Sequence, residues 1–160
     1  MKKFILVVLL LVLASGCLFT QRTEGLAKVT RVIDGDTIDV AFGAPTAVSR
    51  WRVRYIGIDA PELDSEEEWE RTLAIEATNK NKELVENKVV NLVKDVSETD
   101  RYQRLLRYVY DTDDLFVNGE LVRLGLARAV SDLPDTAQQE LLAQLEAEAR
   151  AAGRGIWAHR

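Results

Sequence analysis

Apolar and polar positions alternate through much of the first half of the chain. In Thr37-Ile38-Asp39-Val40-Ala41-Phe42, the residues Ile38, Val40 and Phe42 fall on one side, the two-residue period of a half-buried strand. From Arg50 to Tyr55 the alternation is strict. Trp51, Val53 and Tyr55 share one face, and Arg50, Arg52 and Arg54 share the other. Between these runs, Gly43 to Thr46 carries a Gly and a Pro and predicts a turn. Residues 28–58 therefore predict β structure. The pattern then changes. Ser65-Glu66-Glu67-Glu68 fits a capping box, with Ser65 as N-cap and Glu68 at the third helical position. Leu73, Ala77, Leu84 and Val85 follow at helical spacing. Residues 88–93 predict a strand, and Leu105 to Tyr110 predicts a fifth. Asn118-Gly119 predicts a turn and Leu121 to Ala127 a short helix. Thr136 to Ala152 predicts a longer helix, with Leu141, Leu145 and Ala149 on one stripe and Gly153 near its end. Five strands with few helices predict an α+β fold, mainly a small β-barrel with helices packed on it.

The first 17 residues follow a different logic. Lys2 and Lys3 precede an unbroken apolar run, Phe4 to Ala14, and then the small residues Ser15 and Gly16. This is the layout of a signal peptide. Eleven residues make a helix about 16 Å long, well short of a hydrocarbon core of roughly 30 Å. The chain's one Cys, Cys17, comes directly after the small triplet. The segment resembles the lipobox of prokaryotic lipoproteins, in which that Cys is lipidated and becomes the mature N-terminus. The expected organisation is a signal peptide over 1–16, a lipidated Cys17 with a short linker over 17–27, and one domain over 28–158. The domain would then be extracytoplasmic and anchored to the membrane through a lipid on Cys17. Secretion without an anchor is the alternative.

Composition changes the picture in two places. One Cys and one His in 160 residues exclude an internal disulfide framework and a zinc finger. The formal net charge is -5, from 21 basic and 26 acidic residues. A nucleic-acid binder usually shows a basic footprint instead. Loss of residues 1–16 would remove Lys2 and Lys3 and leave 19 basic residues against 26 acidic ones.

Three polar clusters sit at the ends of predicted strands. They are Asp34-Gly35-Asp36-Thr37, Asp59-Ala60-Pro61-Glu62 and Asp100-Arg101-Tyr102-Gln103-Arg104. Singly, each reads as an ordinary turn. Their order is more specific. Residues 29–40 (VTRVIDGDTIDV), 53–62 (VRYIGIDAPE), 84–95 (LVENKVVNLVKD), 100–110 (DRYQRLLRYVY) and 121–128 (LVRLGLAR), with Gly155-Ile156-Trp157 after them, resemble the staphylococcal (micrococcal) nuclease family over about residues 27–158.

The resemblance implies an OB-fold, a five-stranded barrel with three packed helices. It also implies calcium-dependent hydrolysis of phosphodiester bonds in DNA or RNA. Asp36 and Asp59 match the family's calcium-binding carboxylates, and Ala60 the position that offers a backbone carbonyl. An all-oxygen set suits Ca²⁺, a hard ion. Glu62 matches the proposed general base. Arg54 and Arg104 match the two catalytic arginines, whose forked N–H donors suit phosphate oxygens. Arg101 and Tyr102 fall at positions that meet substrate phosphate. Thr37 is a candidate to assist the metal shell. The expected partner is DNA or RNA, met by a monomer.

Three features depart from the family pattern. Gln103 stands where Gly is usual, which costs about 1 kcal/mol if the backbone there has positive φ. Residues 129–133, Ala-Val-Ser-Asp-Leu, lack the two base-stacking tyrosines of the best-known member. Six acids crowd residues 62–70. These departures motivate the alternative expectation, a weak or inactive OB-fold surface lipoprotein that binds nucleic acid.

Overall fold

The computed structural model describes residues 23–43 and 48–158. Cys17, the signal-like segment, the core of the predicted 43–46 turn and His159 lie outside the described residues. Five strands close into a barrel in the order β1-β2-β3-β6-β5. They are β1 (Thr23–Val32), β2 (Thr37–Phe42), β3 (Ser49–Tyr55), β5 (Val89–Val93) and β6 (Leu105–Tyr110), with a short β4 (Ile58–Asp59) between β3 and β5. Neighbours run antiparallel except β3 and β6, which pair in parallel. Helices α1 (Glu68–Val85), α2 (Val117–Arg123) and α3 (Gln139–Ala151) pack on the barrel. A last short strand, β7 (Arg128–Ala129), pairs with β4 in a separate two-stranded ribbon. The α+β expectation of a five-stranded OB-type barrel with three helices holds.

The alternating positions explain the barrel interior. Val29, Ile38, Val40, Val53, Tyr55, Val90, Leu92 and Val109 are all fully buried. Leu121 and Val122 from α2 and Leu142 from α3 extend this core outward. A smaller cluster joins Leu73, Ala149, Ile156 and Trp157, with the Arg150 guanidinium 3.8 Å from the Trp157 ring centre.

Several elements differ from the sequence pattern, each for a local reason. β1 reaches back to Thr23, into the stretch read as linker, because it pairs with β5 from Thr23 opposite Val93 to Lys28 opposite Val89. A register shift near Gly25, at φ 98°, interrupts the alternation that would have revealed the strand. Helix α1 begins at Glu68, without a side-chain cap on its N-cap residue Glu67. The Ser65 hydroxyl instead accepts from the Glu67 amide and donates to Glu70. Asn118-Gly119 is no turn but lies inside α2. The buried Asn118 amide accepts from the Val109 N–H and donates to the Ile56 carbonyl, 2.9 Å each. Its side chain thereby does in the core what it would otherwise do in a turn. The α3 stripe holds at Leu145 and Ala149 but not at Leu141, which is exposed while Leu142 is buried. Trp51 shares the face of Val53 and Tyr55 yet is 44% exposed. β3 pairs with β6 only from Val53 to Tyr55, so among the described residues no β6 partner stands beside Trp51.

One glycine fixes how closely the first loop lies on the barrel. A Cβ at Gly35 would stand 2.5 Å from the Ala60 Cβ and 2.9 Å from the Ala77 Cβ. Gly35→Ala should therefore destabilise the protein by about 1–3 kcal/mol through overpacking, read as a lower urea midpoint at unchanged slope. An unchanged midpoint would show that the loop yields freely.

Candidate active site

The β1–β2 turn carries the first cluster. Asp34 accepts the Asp36 N–H at 3.0 Å, an Asx-type turn that suits a two-strand reversal. The turn is also clamped from below. Asn81 of α1 donates to the Asp34 carbonyl and accepts from the buried Tyr55 hydroxyl, 2.9 Å each. This chain of bonds runs from barrel core to helix to loop, and Asn81 is fully buried. Asp36 emerges only 5% exposed. One of its oxygens accepts from the Thr37 hydroxyl at 3.1 Å, and the other from the Ala60 N–H at 2.8 Å.

Arg54, at the end of β3, joins the second cluster to the first. Its Nη1 pairs with Asp36. Its Nη2 donates to Asp59 at 2.8 Å and to the Ile58 carbonyl at 3.0 Å. Two carboxylates from separate segments thus converge on one cation. Glu62 stands exposed beside them. Partial burial raises its carboxyl above the ordinary range, the charges of Asp34, Asp59 and Asp64 add to the rise, and Arg54 opposes it. Burial likewise raises Asp34, against a hydrogen bond from Thr37 and the charges of Arg54 and Arg104.

The third cluster is organised by Asp100. Its carboxylate accepts from the Tyr102 N–H at 2.8 Å, the Arg104 N–H at 3.0 Å and the Arg104 Nε at 2.6 Å. Burial would raise this carboxyl, but the bonds from Arg104 and Tyr102 outweigh it and hold it low. Behind the loop, the fully buried Arg107 donates to the Glu98 and Leu106 carbonyls and pairs with the Glu98 carboxylate. Arg54 and Arg104 line one cleft of about 240 Å³, with Asp100 and Leu133 on its walls. Arg101 and Tyr102 sit on the exposed rim, the guanidinium 4.7 Å from the ring centre.

The chain is similar to known proteins over most of its length. A model of the staphylococcal nuclease homologue family matches residues 52–159. The chain belongs to the staphylococcal nuclease family. Among the family's relatives, it is 34% identical over 140 residues to a thermonuclease of Staphylococcus hyicus, covering 88% of this chain and 80% of that one. It is 36% identical over 129 residues to a thermonuclease of Staphylococcus intermedius, covering 81% and 74%. An endonuclease of Escherichia coli O157:H7 is 36% identical over 130 residues, covering 81% and 75%.

In this family member the structure brings Asp36, Asp59 and Arg54 into direct contact and sets Arg104 in the same cleft as Arg54. Ala60 touches the group through its amide. Asp34, Asn81 and Asp100 were not singled out in the sequence, although all three hold the site together. Asp34 and Asp100 lie inside the quoted motifs, two and four residues before the functional side chains. Asn81 had only its burial to reveal it.

The donor set fits a hard cation. Among the described residues no three His, Cys, Asp or Glu side chains form a metal cluster. Asp36 and Asp59 both turn carboxylate oxygen to the Arg54 guanidinium, and Ca²⁺, which takes six to eight oxygens, would need backbone carbonyls and water besides.

Gln103 has φ 64°, so the condition for strain is met. Leu133, 81% exposed at the cleft wall, occupies the segment where stacking aromatics are absent. Gln103→Gly should raise stability by about 1 kcal/mol, measured by denaturant titration. A loss of stability would mean that the Gln side chain makes compensating contacts.

Proposed function

We propose that the protein is a calcium-dependent nuclease that hydrolyses phosphodiester bonds in DNA or RNA. The observation that carries this reading is the convergence of Asp36 and Asp59 on Arg54, in a cleft shared with Arg104. Every catalytic-type position of the family is filled here. The relatives named thermonuclease and endonuclease support a nucleic-acid substrate.

In this reading Asp36, Asp59 and the Ala60 carbonyl hold the calcium ion. When bound, the ion supplies Lewis-acid stabilisation of charge on a phosphate oxygen. Glu62 takes the proton of the attacking water, or orients it. A carboxylate raised by its surroundings is a stronger base than an ordinary one. Arg54 and Arg104 donate forked N–H groups to the phosphate oxygens as charge accumulates on the five-coordinate phosphorus. Asp100 holds the Arg104 guanidinium in place. Arg101 and Tyr102 meet a flanking phosphate at the rim. By family resemblance the products are a 3′-phosphate and a 5′-hydroxyl. The protein works as a monomer outside the cytoplasm, tethered by a lipid on Cys17 after removal of residues 1–16.

Protein lacking residues 1–16 should degrade DNA with calcium and stop on chelation. Glu62→Gln should lower kcat about 10²- to 10⁴-fold. The pH profile gives an independent reading. Glu62 acts as its carboxylate, and its pKa is raised from 4.5. The wild-type kcat/KM should therefore climb with pH along a limb displaced above the ordinary glutamate range, and Glu62→Gln should lack that limb. Cleavage indifferent to calcium, or undiminished in the variant, would overturn the mechanism. For the anchor, the full chain should sediment with membranes and Cys17→Ser should remain in the soluble fraction. Equal partition of the two would remove the lipid from the account.

A further inference from the structure

β3 outruns its parallel partner. Among the described residues no strand pairs with the β6 side of β3 before Val53, and Arg50 to Arg52 border a gap. The far wall of this gap is the turn that carries Tyr102, Gln103 and Arg104. Between the walls lies a cleft of about 750 Å³.

Its lining is unlike the rest of the surface. Arg31, Arg50, Arg52 and Arg104 line it with the carboxylate of Asp39, Arg104 being paired with Asp100, in a chain whose net charge is -5. Asp39 stands opposite Arg31 on one neighbour strand and opposite Arg52 on the other. It holds their guanidiniums at 3.0 and 2.9 Å. That single carboxylate fixes the geometry of two arginines and leaves the groove with excess positive charge. Arg50, Arg52 and Arg54 lie on one face of β3, about 6.6 Å apart at each step. They form a ladder that starts in the candidate active site and leads into the groove. Two aromatic rings border the same groove, Trp51 from the other face of β3 at 44% exposure and Tyr102 from the facing turn at 63%. A solvated indole beside a cationic track is the arrangement by which barrels of this type hold unstacked bases. Duplex DNA offers such rings no base face, because its bases are already stacked.

We propose that the groove along the free edge of β3 is an extended subsite for single-stranded nucleic acid, with Trp51 stacking on a base and Arg50 and Arg52 on the phosphates beyond the scissile one. The proposal rests on the nuclease reading of the Arg54–Arg104 cleft. It also answers the missing aromatics at 129–133, since Trp51 offers a stacking surface in the neighbouring groove.

The test compares the full chain with Trp51→Ala, Trp51→Phe and Arg50→Gln on a single strand of about 12 nucleotides, within the site size of one OB barrel, and on a dinucleotide. The readout is the ratio of kcat/KM for the long substrate over the short one. Trp51→Ala should lower this ratio about 5- to 100-fold, and Trp51→Phe should keep most of it. Arg50→Gln should reduce the slope of log affinity against log salt by about 0.7 for the long strand. An unchanged ratio in Trp51→Ala, or an equal loss of affinity for duplex and single strand, overturns the groove while leaving the nuclease reading intact. If the wild type cuts neither substrate, the nuclease reading fails. Fluorescence anisotropy of the labelled strand without calcium then decides the groove alone. Weaker binding by Trp51→Ala upholds it and equal binding overturns it.

Discussion

The Asp36 carboxylate ties together three segments distant in the sequence. It receives the Thr37 hydroxyl from its own strand, the Ala60 N–H from beyond β4, and the Arg54 guanidinium from β3. A buried carboxylate persists only when its lone pairs are met. The surroundings are arranged to meet them. Gly35 lets the loop settle on Ala60 and Ala77, and Asn81 fastens the loop to the core through Tyr55. The site is stiff because its most costly group is also its most heavily bonded one.

A negative protein that acts on a polyanion looks like a contradiction only at the level of the sum. The acids fall into distinct places. Asp36, Asp59 and Asp100 are engaged with Arg54 and Arg104. Asp39 binds arginines in the neighbouring groove. Glu66, Glu67 and Glu68 stand exposed around the start of α1, where negative charge favours the helix dipole. Screening over about 10 Å at ordinary salt makes local charge count for more than the total.

Much of the fold was legible because the barrel strands obey the two-residue period. Ile38, Val40 and Val53 could be placed on one face from spacing alone. What stayed hidden has common causes. Gly25 breaks the period of β1, and polar residues with long-range duties carry no local signature. Asn118 and Asn81 look like turn or surface residues until their partners 62 and 47 positions away are known. Trp51 obeys the alternation yet lies exposed, because alternation reports the face of a strand and not where the neighbouring strand ends. The site was legible through the order of three short clusters. Arg54 as the point where two of them meet was not, since pairing partners are a property of the closed barrel.

The parallel seam between β3 and β6 has a kinetic consequence. Strands that pair in parallel cannot be joined by a tight hairpin. The partners Val53 and Leu105 are separated by β4, α1 and β5. Such non-local pairing carries the loop-closure cost before its reward and slows folding. Arg54 and Arg104 lie at the two sides of that seam. The cleft they share is thus absent from any state in which the hairpins have formed and the barrel has not yet closed. A chain whose barrel has not yet closed carries the residues of a nuclease without the cleft that brings them together.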